Sequence, residues 1–248
     1  MQYTQEILWL LNEKYNGRVS PEFKHDCARI TSGEPVSYVI GSHPFCGCSI
    51  DLSRRPLIPR VETEWWVEKA IEEIRKEREG RSIRVLDLFS GSGCIGIALA
   101  ASLPQAQVDF VDSEERFLEQ IQINIESNGI NPTRTRLIES NVFEKVKDQY
   151  HYIFANPPYI DKDNNRADSS VLAWEPHEAL FAPDHGLYYL KRTINETLEH
   201  LVSGGSLYLE YDTPQKKELE KLARSLPYSF VEFRKDQYDR WRWACLTK

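Results

Sequence analysis

The sequence lacks any apolar run that approaches the ~20 residues a membrane-spanning helix needs. Its first residues, MQYTQEILWLLNEKY, have neither the basic start nor the small-residue cleavage site of a secretory signal. They also lack the Arg-rich, acid-poor composition of an organelle transit peptide. We therefore expect no membrane contact and an intracellular location, namely the cytoplasm in a bacterium or the mitochondrial matrix in a eukaryote.

Patterns for disulfides and metal ions are missing as well. The five cysteines (27, 46, 48, 94 and 245) are odd in number and scattered. Cys46 and Cys48 have no second Cys/His pair at zinc spacing, and the six histidines share no ligand spacing. We predict no metal site and expect the cysteines to be small buried residues in a reducing compartment.

Positive charge is scarce, because the net charge is −7 and no stripe of Lys or Arg occurs. Proteins that bind bare nucleic acid usually carry a basic face, since phosphate contacts supply most of their affinity. The composition therefore favours a protein partner over nucleic acid. The 248 residues suffice for one large domain, or for one domain with a small addition.

Three regions follow one another along the chain. Residues 1–42 carry short helical patterns, and residues 43–60 (HPFCGCSIDLSRRPLIPR) carry short β-like runs broken by Gly and Pro, which is typical of a β-hairpin linker. Residues 61–248 begin with an amphipathic helix from about Glu62 to Glu79. The predicted division is thus a small N-terminal helical domain, a linker and one large domain.

The large domain alternates strands with helices, which predicts an α/β fold with a doubly wound, Rossmann-like parallel sheet. Its strand patterns are IRVLDLF, QVDFVD, TRLIES, YIFA, GSLYLEY, SFVEFRK and WRWACLT, seven in total. The last two follow each other directly and predict an antiparallel hairpin. We expect DRWRWACL to form an edge strand with exposed arginines, and we expect an irregular loop after YIFA.

A glycine loop follows the first strand in VLDLFSGSGCIG. Gly91, Gly93 and Gly96 match G-x-G-x-x-G between a strand and a helix, where glycine lets the backbone approach a ligand. Asp112 ends the second strand, where a carboxylate can bind both hydroxyls of a ribose. The pattern favours an adenosine-containing cofactor, and both NAD and S-adenosylmethionine fit; a tight turn with a solvated Asp is the alternative.

Asp87 lies just before the glycine loop and separates these two cofactors. A carboxylate there would repel the pyrophosphate of a dinucleotide, whereas it would attract the ammonium and sulfonium groups of S-adenosylmethionine. The other interpretation of Asp87 is a cap for the turn that follows. The residue therefore favours S-adenosylmethionine.

The stretch YIFANPPYI ends a buried strand with Asn156, Pro157, Pro158 and Tyr159. Neither proline donates a backbone N–H, so the strand must stop there. The Asn156 side-chain oxygen and the Pro157 carbonyl can accept both hydrogens of a planar NH₂ group, while the Tyr159 ring can stack on it. Such a group is poorly nucleophilic, and holding it at attack distance from a methyl group removes much of the barrier.

Taken together, these motifs resemble the amino-methyltransferases that act on planar nitrogens. The stretches GEPVSYVIGSHPF (33–45), LIPRVETE (57–64) and EPHEALFAPDHGL (175–187) resemble the HemK/PrmC-type protein-(glutamine-N5) methyltransferases. The resemblance implies a class I methyltransferase sheet and a substrate-recognition role for residues 1–42. It also implies methyl transfer from S-adenosylmethionine to the GGQ glutamine of a class 1 peptide chain release factor, with S-adenosylhomocysteine as product.

The resemblance also assigns roles to individual residues. Asn156 and Pro157 would bind the substrate amide, with Pro158 and Tyr159 beside them, and Glu175 would shape the loop that receives the GGQ segment. The cofactor residues it implies are Asp87, Phe89, Gly91 and Gly93 near the methionyl part, Asp112 at the ribose, Arg60, Glu62 and Thr63 at the pocket border, and Asn141 with Phe143 near the adenine.

Other readings remain open at this point. An adenine-N6 methyltransferase would use the same Asn-Pro-Pro-Tyr grip on nucleic acid, and a release-factor-binding protein without catalysis would keep the fold. A nicotinamide oxidoreductase would share the glycines. We expect a monomer, whereas the particular release factor and the need for an activating partner are not determined by the sequence.

Overall fold

The computed structural model describes residues 4–78, 80–164 and 167–248. Its first part contains α1 (Gln5–Glu13), α2 (Pro21–Thr31), α3 (Val36–Ile40), the hairpin β1 (Ser42–Phe45) and β2 (Cys48–Asp51), and α4 (Val61–Glu77). Ser20 accepts the N–H of Phe23 and so caps α2, whose first residue is proline. The helices, the hairpin and the long helix occur where the sequence predicts them, although Glu79 lies outside the described residues.

The remaining elements build the large sheet and its covering helices. They are β3 (Ile83–Leu88), α5 (Cys94–Ser102), β4 (Ala106–Asp112), α6 (Glu115–Ser127), β5 (Thr135–Glu139), β6 (Tyr150–Ala155), α7 (Ser169–Trp174), α8 (Tyr188–His200), β7 (Leu201–Glu210), α9 (Lys216–Ser225), β8 (Phe230–Lys235) and β9 (Trp241–Thr247). Helix α7 lies within the stretch for which the sequence predicts an irregular loop.

In the described part of the chain, seven strands form one sheet in the order β5-β4-β3-β6-β7-β9-β8. Strands β3 to β7 pair in parallel, and β9 pairs antiparallel with both β7 and β8. The predicted doubly wound α/β fold is confirmed. The strand order reverses between β3 and β6, so the carboxyl ends of these two strands meet at the point where such sheets bind ligands.

The position predicted for the last strand is wrong. Strand β9 lies between β7 and β8, and β8 forms the edge of the sheet. Trp243 is accordingly buried, and it stacks on Trp66 with ring centroids 5.9 Å apart. Of the arginines predicted to be exposed, Arg240 is exposed, whereas the Arg242 guanidinium reaches Asp236 and Asp212 and is therefore partnered within the protein.

Hydrophobic clusters occupy both faces of the sheet. One joins α4, α5 and α6 with the hairpin, and the other joins α8 and α9 to the opposite face. A smaller cluster of Leu10, Phe23, Ile30 and Val39 lies among the three N-terminal helices. None of the helices in the described ranges combines the length and hydropathy that a membrane crossing requires.

Helix α5 packs closely against the sheet at Gly96. A Cβ at this position would lie 2.2 Å from Cε1 of the Phe110 ring, which is fully buried in β4. We expect Gly96→Ala to lower the free energy of unfolding by about 1–3 kcal/mol, because overpacking forces neighbouring atoms to move. Urea denaturation of the variant and the wild type would measure this change in the free energy of unfolding. Ala101→Ser, exposed on the same helix, is the control, and an equally small effect of both changes would contradict the argument.

Candidate active site

The glycine loop connects the end of β3 to the start of α5. Phe89, Gly91 and Gly93 have φ angles of 62°, 54° and 78°, so the loop uses left-handed backbone at three positions. Glycine adopts this region freely, whereas an aromatic residue does so rarely. The conformation at Phe89 is therefore held by its surroundings, which include an edge-to-face contact with Tyr189 at 5.6 Å between ring centroids.

Asp112, at the end of β4, fixes this loop. Its carboxylate accepts the N–H of Gly91 at 2.8 Å and the N–H of Glu114 at 3.0 Å. Burial raises the pKa of Asp112, while the two backbone donors act in the opposite direction. A carboxylate thus stands beside the glycine loop, as the sequence predicts.

A cavity of about 220 Å³, here named the glycine-loop cavity, opens between the carboxyl ends of β3, β4 and β6. The predicted site residues in its wall are Arg60, Thr63, Phe89, Gly91, Asp112, Asn141, Asn156 and Pro158. Asp87, Gly93 and Glu62 are not in the wall within the described part of the chain. Most of the residues assigned to a cofactor are therefore brought together around one cavity.

Asp87 lies behind the loop, with a relative exposure of 1%. One carboxylate oxygen accepts the N–H of Gly96 at 2.9 Å, which is the capping contact considered for this residue. The other oxygen is buried and has no hydrogen-bond partner among the described residues. Burial raises the pKa of Asp87 well above its usual range, as expected for a carboxylate with an acceptor atom unused.

A second cavity, of about 420 Å³, lies on the other side of the strand β6 terminus. We name it the Pro-Pro cavity, because Pro157 and Tyr159 form part of its wall together with Ile160, Leu180 and Glu210. Asn156 belongs to the walls of both cavities. Asn156, the first residue after β6, therefore borders two spaces that a cofactor and a substrate could each fill.

Two acceptors at this boundary have no hydrogen-bond partner among the described residues. Neither the Asn156 side-chain oxygen nor the Pro157 carbonyl accepts a hydrogen bond from the described part of the chain. The side-chain nitrogen of Asn156 instead donates to the hydroxyl of Thr63 at 3.5 Å. This leaves the pair of acceptors that the sequence predicts for gripping an NH₂ group.

Tyr159 is held by a residue that the sequence analysis missed. Its hydroxyl donates to Glu210 at 2.9 Å, and its backbone carbonyl accepts from Gln215 at 2.7 Å. Glu210 ends β7 and is buried, and burial raises its pKa although three donors favour the charged form. The sequence signal that could have found Glu210 is a carboxylate at the end of an otherwise apolar strand, LYLEY, next to the strand that Asn156 follows.

The two residues expected near the adenine, Asn141 and Phe143, lie differently relative to the glycine-loop cavity. Asn141 lines the glycine-loop cavity, but its side-chain oxygen accepts from Arg192 at 3.3 Å and its nitrogen donates to Glu144 at 2.6 Å. Phe143 stacks on His200 with ring centroids 4.5 Å apart and is absent from the described cavity wall. Phe143 as an adenine contact stays a prediction, and its ring faces α8 in this structure; the neighbouring Val142 lies in the cavity wall.

Glu175 connects the loop after Tyr159 to the linker. It accepts the N–H of Ile58 at 3.0 Å and a guanidinium nitrogen of Arg60 at 2.7 Å. Its side chain is buried and belongs to neither cavity wall in the described chain. The carboxylate thus holds the segment on which Arg60 borders both cavities.

The same linker is also attached to the N-terminal helices. The Arg55 guanidinium donates to Glu34 at 2.5 Å, and the Tyr38 hydroxyl donates to the Pro56 carbonyl at 2.6 Å. Arg55 lies over the Tyr38 ring at 4.7 Å from its centroid. Residues 55–60 are therefore held at one end by the helices and at the other end by Glu175.

The sheet order, the glycine loop and the cavity at the strand switch point define a class I methyltransferase fold. A family model described as "Methyltransferase small domain" matches residues 70–174. A methyltransferase structure from Pyrococcus furiosus superposes with a TM-score of 0.58 at 18% identity, over 90% of this chain and 98% of that chain. The T. thermophilus 16S rRNA N2 G1207 methyltransferase, solved with AdoMet and guanosine, gives 0.59 at 18%, over 84% of this chain and 49% of that one.

Sequence comparison identifies the family more narrowly. A release factor glutamine methyltransferase from Flavobacterium psychrophilum is 32% identical over 234 residues, which is 89% of this chain and 81% of the relative. The protein of that name from Streptococcus pneumoniae is 30% identical over 94% of this chain and 82% of its own length. The chain belongs to the release factor glutamine methyltransferase family, so the resemblance seen in the sequence is confirmed.

Proposed function

We propose that this protein methylates the side-chain amide nitrogen of the GGQ glutamine in a class 1 peptide chain release factor, with S-adenosylmethionine as methyl donor. The observation that carries the proposal is the position of Asn156 in the walls of both cavities, with a side-chain oxygen that accepts no hydrogen bond from the described residues. Membership of the release factor glutamine methyltransferase family supports the same substrate.

The donor set of the glycine-loop cavity fits S-adenosylmethionine. Asp112 offers a carboxylate for a ribose, and the positive φ of Gly91 allows backbone to approach the ligand. Asp87 lies behind the loop and outside the cavity wall of the described chain, so it would act on the cofactor through the loop, which it holds at the Gly96 N–H. When bound, this cofactor supplies an electrophilic methyl group on a sulfonium sulfur. Asn141 would border the adenine, because its side-chain oxygen accepts one bond of 3.3 Å from Arg192 and has a second lone pair for the adenine amino group.

The Pro-Pro cavity would receive the glutamine. The Asn156 side-chain oxygen and the Pro157 carbonyl accept the two amide hydrogens, which turns the nitrogen toward the glycine-loop cavity. Pro157 and Pro158 restrict the backbone, so these acceptors are in place before the substrate arrives. They also stabilise the positive charge that develops on the N–H groups, and the extra proton then leaves to solvent. Tyr159 lies beside the amide and Glu210 holds its hydroxyl.

The other parts of the chain would place the release factor. We assign residues 1–42 to its recognition, residues 43–60 to the linker and residues 61–248 to methyl transfer, and we expect the protein to act as a monomer. Glu175 supports the entry loop through Ile58 and Arg60 rather than by contact with the glutamine.

Radiolabelled methyl transfer from S-adenosylmethionine tests the proposal. We expect label on a purified class 1 release factor and none on the variant in which alanine replaces the GGQ glutamine. A DNA sample in the same assay is the control for adenine methylation. Label on DNA would favour the adenine methyltransferase, and label on neither protein would favour a binding protein without catalysis.

A further inference from the structure

One buried carboxylate near Asn156, the residue that follows β6, accepts three hydrogen bonds. Glu210 accepts from the Thr63 hydroxyl at 2.6 Å, from the Trp66 indole at 2.6 Å and from the Tyr159 hydroxyl at 2.9 Å. Thr63 and Trp66 lie on α4, whereas Glu210 ends β7. The carboxylate thus connects the start of α4 with the loop that follows β6.

The contact with Thr63 determines the direction of the next hydrogen bond. A threonine hydroxyl has a single hydrogen, and the hydroxyl of Thr63 gives it to Glu210. Towards Asn156, 3.5 Å away, the hydroxyl can therefore only accept. An Asn156 amide rotated by 180° would place its oxygen against another lone pair, with no hydrogen between them.

We propose that Glu210, acting through Thr63, is a positioning residue that holds the NH₂ of Asn156 inward and presents its side-chain oxygen to the substrate amide. The proposal rests on the proposed function and adds residues that direct the substrate grip. Thr63 lines the glycine-loop cavity, where the sequence predicts a cofactor contact. The proposal gives it a different role, which is to orient the side chain of Asn156.

A matched pair of substitutions tests the proposal. Thr63→Val keeps the shape but removes the hydroxyl, whereas Thr63→Ser keeps the hydroxyl. With release factor as substrate, we expect Thr63→Val to lower kcat by about 10–100-fold, as misplacement of a reacting group does, with an unchanged KM for S-adenosylmethionine. Thr63→Ser should restore most of the activity. Glu210→Leu should also lower kcat, since a leucine side chain offers Thr63 no acceptor.

Thr197→Val is the control for losing a buried threonine hydroxyl, because Thr197 lies on α8 and its hydroxyl has no partner in the described chain. Thermal unfolding of each variant separates loss of folding from loss of turnover. Equal activity of Thr63→Val and wild type, equal losses in Thr63→Val and Thr63→Ser, or a change confined to the KM for S-adenosylmethionine would overturn the inference. A wild-type protein that labels no release factor would instead contradict the proposed function, and the inference with it.

Discussion

Replacement of Asn156 by alanine is expected to lower kcat for methyl transfer by on the order of 10²–10³-fold, the usual cost of removing one group that stabilises developing charge. The alanine lacks the acceptor that holds one amide hydrogen, so the nitrogen is no longer aimed at the methyl group. Affinity for S-adenosylmethionine should stay nearly unchanged, because the main contacts of the glycine-loop cavity come from other residues. Single-turnover transfer and calorimetric titration of the cofactor measure the two quantities separately.

Asn195→Ala provides the matched control. Asn195 is exposed on α8, and its side chain donates only to the Lys191 carbonyl in the described structure. It should transfer methyl groups at the wild-type rate. An Asn156→Ala variant that kept most of its activity would remove Asn156 from the proposed mechanism, whichever substrate is methylated.

Asp112→Ala should show the opposite pattern, with the main loss in cofactor binding. A charged hydrogen bond contributes about 1–3 kcal/mol, which corresponds to a loss in affinity of about 5–150-fold. The substitution removes the acceptor for a ribose and also the acceptor that holds the Gly91 N–H. Calorimetric titration with S-adenosylmethionine measures the change, and turnover at saturating cofactor should recover much of the wild-type rate.

Glu139→Ala controls for the loss of a carboxylate at this edge of the sheet. Glu139 pairs with Asp112 across β4 and β5, but its side chain is 57% exposed and lies outside the cavity walls of the described chain. Its replacement should leave cofactor affinity within a factor of about 2, as is usual for exposed positions. If the two variants bound the cofactor equally well, Asp112 would not be a ribose contact.

The fold could be predicted from the sequence because strand and helix patterns alternate clearly after residue 81. The proximity of the glycine loop and Asp112 could be predicted equally well. Both lie at the carboxyl ends of adjacent parallel strands, which meet at the same edge of the sheet. The position of β9 in the sheet could not be predicted, because a hydrophobic pattern indicates that a strand exists but not which strands it pairs with. Its arginines indicated exposure, whereas Arg242 is paired with Asp212 and Asp236.

Side-chain direction explains the remaining differences at the site. Phe143 follows directly after the cavity residue Val142, and its ring turns to His200, a residue 57 positions later whose contact no local pattern indicates. Glu210 was missed because its partners Thr63 and Tyr159 come from elements far apart in the chain. Long-range hydrogen bonds of this kind become visible only when the sheet is assembled.

The attachment of residues 55–60 at both ends has a consequence for substrate choice. Glu34 and Tyr38 hold one end to the N-terminal helices, and Glu175 holds the other end beside the Pro-Pro cavity. Under the proposed function, the distance from the recognition surface to the amide grip is therefore constant, and the linker acts as a molecular ruler. A glutamine would be selected by how far it projects from the docked surface of its protein as well as by its neighbouring residues.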